Sequence, residues 1–199
     1  MAIPFLSVLR RTFPNAFISV ACSRYVSEIF RRSSFVDRLI DYGKGLWTRL
    51  SVAGRSRPDG GWDICFVFPR SFSSALTARM SGARRRVGYG GEWRDFLLTD
   101  VLPGPRYRKG HLSGVYMRLL ERVTGEEAET PLPVVVPPYH WKNFLDGEGI
   151  ESDYFILAPG ATYGSAKVWP QERYSALAER VERETGWRIV VIGSSGERS

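Results

Sequence analysis

Cysteine and histidine are scarce in this chain, with two of each among 199 residues. Cys22 and Cys65 fall in separate apolar runs, which reads as two buried free thiols rather than a disulfide framework. The same scarcity, with the four residues widely scattered, leaves no metal-ligand spacing, so neither a metal nor another cofactor is expected. No apolar run approaches the roughly 20 residues that a membrane-spanning helix needs. The N-terminal stretch Met1–Arg11 has no basic region ahead of its apolar residues and makes a poor signal peptide. Internal repeats and low-complexity tracts are absent as well.

The chain has instead the makings of a globular core: 43% hydrophobic and 13% aromatic residues. Its charge is uneven. Residues 1–110 carry 19 Lys and Arg against 8 Asp and Glu, whereas residues 111–199 carry 9 against 13. A basic first part suits an anionic partner such as a phosphorylated glycolipid, a membrane surface or nucleic acid; an ordinary solvated basic surface is the alternative. Aromatics interleave with arginines through Gly88–Arg108, but no nucleic-acid motif with defined spacing is present, and none is expected to bind.

Periodicity and punctuation predict alternating strands and helices. Pro4–Phe13 reads as an amphipathic helix with Ile3, Leu6, Leu9 and Phe13 near one face. Ala16–Cys22 reads as a strand, Tyr25–Arg32 as a helix, Phe35–Tyr42 as containing a strand, and Gly43–Leu50 as a helix start. Trp62–Phe68 is a near-continuous apolar run of the kind found in buried parallel strands. Helices follow over Ser73–Ser81 and Leu112–Val123, with a short strand at Arg86–Tyr89 between them. Proline-rich Pro131–Pro138 reads as extended, with a helix through Trp141–Leu145 beyond it. This order predicts an α/β, Rossmann-like, doubly wound parallel sheet over residues 1–138, and the opening of a second such domain over residues 139–199.

The second segment is the more informative. Tyr154–Ala158 reads as a strand, Pro159–Trp169 as a loop, and a helix follows with Pro170 at its start and Gly186 past its end. A second strand, Arg188–Ile192, runs into Gly193-Ser194-Ser195-Gly196-Glu197. In such a unit both loops emerge on one sheet edge. The first offers backbone N–H groups, hydroxyls and one cation beside a helix N-terminus, which suits a diphosphate.

P-G-A-x-x-G-x-A-K-x-W-P, from Pro159 to Pro170, resembles the nucleotide-sugar loop of glycosyltransferase family 9, and within it the heptosyltransferases. Pro69–Leu76, Gly82, Arg86–Tyr89, Gly91–Arg94 and Leu97–Asp100 are similar to the N-terminal domain of the same family. His111 with Tyr116 is a weaker echo. The resemblance implies two Rossmann-like domains facing each other, the arrangement called GT-B. It also implies inverting transfer of heptose from ADP-heptose to a phosphorylated inner-core acceptor of lipopolysaccharide, at a cytoplasmic location with peripheral contact at the inner membrane. By the same resemblance, Lys167 touches the donor phosphates, Thr162 and Tyr163 flank them, and Glu197 bonds the ribose hydroxyls. A lysine there would stabilise charge on the departing diphosphate.

Arg70, Ser71, Ser74 and Arg94 are candidates for the acceptor side. Arginine suits bidentate anion contact, although Ser71 or Ser73 would equally cap the following helix. Glu92 and Arg94 could instead pair with each other in a surface turn. His111 reads as a surface or capping group, Arg84–Arg86 as a solvated run, and Trp169-Pro170 as shaping the loop. The family also implies a strand and a Gly-Asp loop before residue 1, carrying the general base, and a later D-[ST]-G-x-x-H loop. Neither has a counterpart here. The chain therefore reads as a fragment with little or no transferase activity and no catalytic base of its own. A non-catalytic α/β module that binds an anionic glycolipid or a protein partner is the competing reading.

Overall fold

The computed structural model describes residues 2–31, 33–43, 45–55, 58, 60–104, 111–128, 145–150, 153–160 and 169–193. The chain divides into two units, Met1–Pro137 and Pro138–Ser199.

In the first unit, helix α1 (Ile3–Thr12) leads to strand β1 (Ser19–Ser23), helix α2 (Arg24–Arg31), strand β2 (Arg38–Tyr42) and helix α3 (Leu46–Arg55). Strand β3 (Ile64–Val67), helix α4 (Phe72–Met80), strand β4 (Arg85–Tyr89), a 3-10 turn (Asp95–Leu97), strand β5 (Asp100–Leu102) and helix α5 (Leu112–Thr124) follow. All pairing is parallel and falls into two ladders, β1-β2 and β3-β4-β5. In the first, Ser19 lies opposite Arg38; in the second, Ile64 lies opposite Arg85 and Val87 opposite Asp100. Parallel pairing requires crossovers, and the helices supply them. The architecture is thus α/β with parallel sheets, as the alternating pattern predicts.

One core serves both ladders. Phe5, Leu6 and Val8 of α1 join Ile18, Val87, Tyr89, Leu102 and α5's Met117, Leu119 and Leu120, with Val20 of β1 and Ile64 and Phe66 of β3 packed against them. The buried face of α1 is wider than the stripe predicted from Leu6 and Leu9. Phe5 is 1% exposed and sets its ring edge-on to Phe66 and Phe68, with centroids 5.0 and 4.8 Å away. Burying such a ring contributes on the order of 2–3 kcal/mol. Pro4 opens α1, where its missing N–H costs nothing, and Gly125 ends α5 at φ 76, the left-handed cap that favours glycine.

The second unit contains strand β6 (Tyr154–Leu157), helix α6 (Gln171–Thr185) and strand β7 (Arg188–Val191). The two strands pair in parallel, Tyr154 opposite Arg188 and Leu157 opposite Val191. Tyr174, Leu177, Ala178 and Val181 form the half-buried stripe of α6, at helical spacing. Gly186 closes the helix at φ 70. Leu145–Gly147 form a helical turn; the remainder of the helix expected through Trp141–Leu145, and the extended Pro131–Pro138, lie outside the described residues.

Candidate functional site

The C-terminal ends of β3 and β4 bring the four acceptor-side candidates together. β3 runs into Pro69 and Arg70, and Ser71 caps α4 by accepting the Ser74 N–H at 3.4 Å. The Ser74 hydroxyl donates to Pro69 O at 2.9 Å and Ser71 O at 2.7 Å. The capping alternative is therefore realised at Ser71, and its side chain remains exposed.

Arg94 departs from the expectation of a direct acceptor contact, and equally from that of a surface turn paired with Glu92. Its side chain is 0% exposed. Nε and Nη2 donate to Tyr89 O at 3.0 and 2.7 Å, and Nη1 donates to Pro69 O at 2.5 Å and Ser71 O at 3.1 Å. A planar fork of donors can satisfy carbonyls from two segments at once. Arg94 thus ties the end of β4 to the start of α4 and positions this edge from below. In the sequence it reads as an exposed loop arginine because nothing local signals burial.

The turn above Arg94 is strained. Gly91 has φ 106, and Glu92 and Trp93 follow at φ 55 and 58, a region that non-glycine residues seldom occupy. The Asp95 carboxylate accepts the Gly91 N–H at 2.8 Å and pins the turn from the other side. Arg70 lies alongside: a Cβ at Gly91 would come within 3.2 Å of its Nη2, and one at Gly104 within 3.6 Å. The cation thus runs between two glycines that leave it room.

Ion pairs brace the opposite, N-terminal end of the ladder. Asp100 takes Arg85 at 2.8 Å, and that guanidinium, with the Thr99 hydroxyl and Arg122, holds its carboxyl below the usual carboxylate range. Asp37 is held low chiefly by the Ile18 N–H at 2.7 Å and then by Arg10 at 2.5 Å. Both cysteines are free. Burial pushes the Cys65 thiol up to about 11 and raises Cys22 as well, which leaves them poor nucleophiles. His111 caps α5, accepting the Ser113 N–H on Nδ1 at 3.3 Å. Among the described residues no group of three or more His, Cys, Asp or Glu could hold a metal ion, and no helix is long and apolar enough to cross a membrane.

In the second unit the described residues fix both ends of the 158–170 loop. It leaves the C-terminal end of β6 and re-enters at Pro170, the N-cap of α6, so it joins a strand end to a helix start. Trp169 is 40% exposed and packs edge-on to Tyr174 at 5.2 Å, which anchors the loop's exit as the sequence suggests. Thr162, Tyr163, Lys167 and Glu197 lie outside the described residues.

Both units pair their strands in parallel, and in the first the candidate residues gather at the strands' C-terminal ends, the edge where open α/β sheets commonly bind ligands. The chain matches the sequence profile of glycosyltransferase family 9 (heptosyltransferase) over residues 55–199 and belongs to that family. It is 27% identical to lipopolysaccharide heptosyltransferase 2 of Escherichia coli strain K12 over 94% of its own length and 57% of that protein's. The chain therefore spans a little over half the length of the curated relatives it matches. Solved structures share its fold, among them the following two. The family 9 glycosyl transferase of Veillonella parvula has a TM-score of 0.83 at 20% identity, covering 99% of this chain and 59% of that one. Escherichia coli ADP-heptose lps heptosyltransferase II has a TM-score of 0.76 at 24% identity, covering 98% and 61%.

Proposed function

We propose that this chain carries the acceptor-side unit and the opening of the donor-side unit of a heptosyltransferase, which moves heptose from ADP-heptose to a phosphorylated inner-core acceptor of lipopolysaccharide. The single observation behind this reading is the Pro159–Pro170 motif spanning the gap from the β6 C-terminus to the α6 N-terminus, in a chain of this family. Amide donors at a helix start, together with the Lys167 ammonium, would hold the diphosphate and neutralise its charge as the sugar departs. Thr162 and Tyr163 would flank the phosphates, and Glu197 would take the ribose hydroxyls. Arg70, Ser71 and Ser74 would receive the acceptor, with Arg94 holding their backbone. Residues 1–138 and 139–199 would form the two functional domains. The protein would work at the cytoplasmic face of the inner membrane, in peripheral contact with it.

The test is donor choice. Calorimetric titration of the chain should show saturable binding of ADP and ADP-heptose, each displacing the other, and much weaker binding of UDP-glucose. Preference for the uridine donor, or binding of neither nucleotide, would overturn the reading.

A further inference from the structure

Trp93 is costly for the fold to keep where it stands. A bulky residue at positive φ is disfavoured, and the side chain recovers little by burial, being 93% exposed. The flanking residues do not let it relax: Arg94 is buried and bonded to carbonyls of two segments, and Asp95 holds Gly91. Phe96, 75% exposed, and Phe72, 42% exposed, are also displayed at this end of the unit, with ring centroids 6.2 Å apart. The Arg70 guanidinium runs between Gly104 and Gly91, two residues before Trp93 on the same turn. A rigidly displayed indole, a phenyl ledge and a cation at the C-terminal edge of a parallel sheet match one ligand chemistry well. An indole face packs against the C–H face of a pyranose while the hydroxyls stay in water, and the arginine takes an anionic substituent in bidentate fashion.

We infer that Trp93 is a stacking platform for an anionic pyranose, which the turn presents beside Arg70. This deepens the reading of the β3–α4 edge as the acceptor side and rests on it. Trp93 would contact the sugar, whereas Arg94 and Asp95 would act only by positioning it. The charged headgroup on Arg70 would set which end of the sugar faces the sheet.

The test uses the 199-residue chain labelled with nitrogen-15 and titrated with glucose 6-phosphate, with glucose and inorganic phosphate as separate arms. Affinity is read from the backbone amides of Gly91 and Gly104, which remain in every variant. The Trp93 indole N–H signal, assigned by its loss in Trp93→Phe, should shift with saturation. Trp93→Ala should bind the sugar phosphate roughly three- to tenfold more weakly, Trp93→Phe nearly as well as the parent, and neither should change binding of inorganic phosphate. Arg70→Gln should weaken both. Equal affinity in Trp93→Ala and the parent, with Arg70→Gln impaired, would overturn the platform and leave the acceptor reading standing. No shift in the parent with any probe would overturn both. An indole signal that moves with protein concentration in the absence of sugar would overturn the platform in favour of self-association. Because the indole is exposed, Trp93→Ala should melt at the parent temperature, which separates lost binding from lost folding.

Discussion

Replacing Arg94 with methionine keeps most of the apolar stem and removes the guanidinium. Three backbone carbonyls, at Pro69, Ser71 and Tyr89, then lose a charged donor. Hydrogen bonds to charged groups contribute about 1.5–3 kcal/mol each. A simple sum overshoots, because water can reach the Ser71 end, where the serine is exposed. Leaving a buried carbonyl without its donor costs about 1–3 kcal/mol, and with three carbonyls affected, one of them near water, a total loss of about 3–5 kcal/mol is expected. Arg94→Lys should recover about half of it, since an ammonium cannot reach both segments with a planar fork. Urea unfolding followed by circular dichroism measures the change through the midpoint. Arg84→Ala is the control: Arg84 is 73% exposed in its pair with Asp63 and should shift stability by no more than about 0.5 kcal/mol. If Arg94→Met cost less than about 1 kcal/mol, the claim that this residue ties β4 to α4 would be refuted.

Acid should weaken the first unit in a defined window. Asp37 and Asp100 both titrate below their ordinary 3.8 when folded. The unfolded chain therefore binds more protons in that range, and stability falls as pH drops below about 4 toward the folded values. Thermal melts from about pH 6 to about pH 2 should show that slope, reduced in Asp100→Asn; an undiminished slope in that variant contradicts the assignment. Gly90→Ala should destabilise by about 1–3 kcal/mol, because its Cβ would lie 2.8 Å from Val101 Cγ1 and 3.1 Å from the Asp95 carboxylate that pins the Trp93 turn. An unchanged melting temperature would show that the turn gives way freely.

How much of this could be read from the residues depends on how local the determining signal is. The β3 run, the α5 stripe and the Pro170 and Gly186 punctuation of α6 carry their information within a few positions, and their elements lie within a residue or two of the expected bounds. Strand β5 was not separable from its surroundings: three residues, Asp100–Leu102, give no period to detect, and pairing with β4 alone defines them. Phe5 carries no local sign of burial, because the α1 face is set by Phe66 and Phe68, distant in sequence. The burial of Arg94 depends on carbonyls more than 20 positions away at Pro69 and Ser71. The sequence motif marks Pro159–Pro170 as a candidate site, and the structure supplies its two anchors, the end of β6 and the start of α6.

In the proposed function, Lys167 is the cation for the donor diphosphate. Calorimetric titration of ADP into the parent chain and into Lys167→Met measures this. The account predicts at least about tenfold weaker binding in the variant, with Lys142→Met, a lysine elsewhere in the chain, binding like the parent. Equal affinity in Lys167→Met and the parent would contradict it.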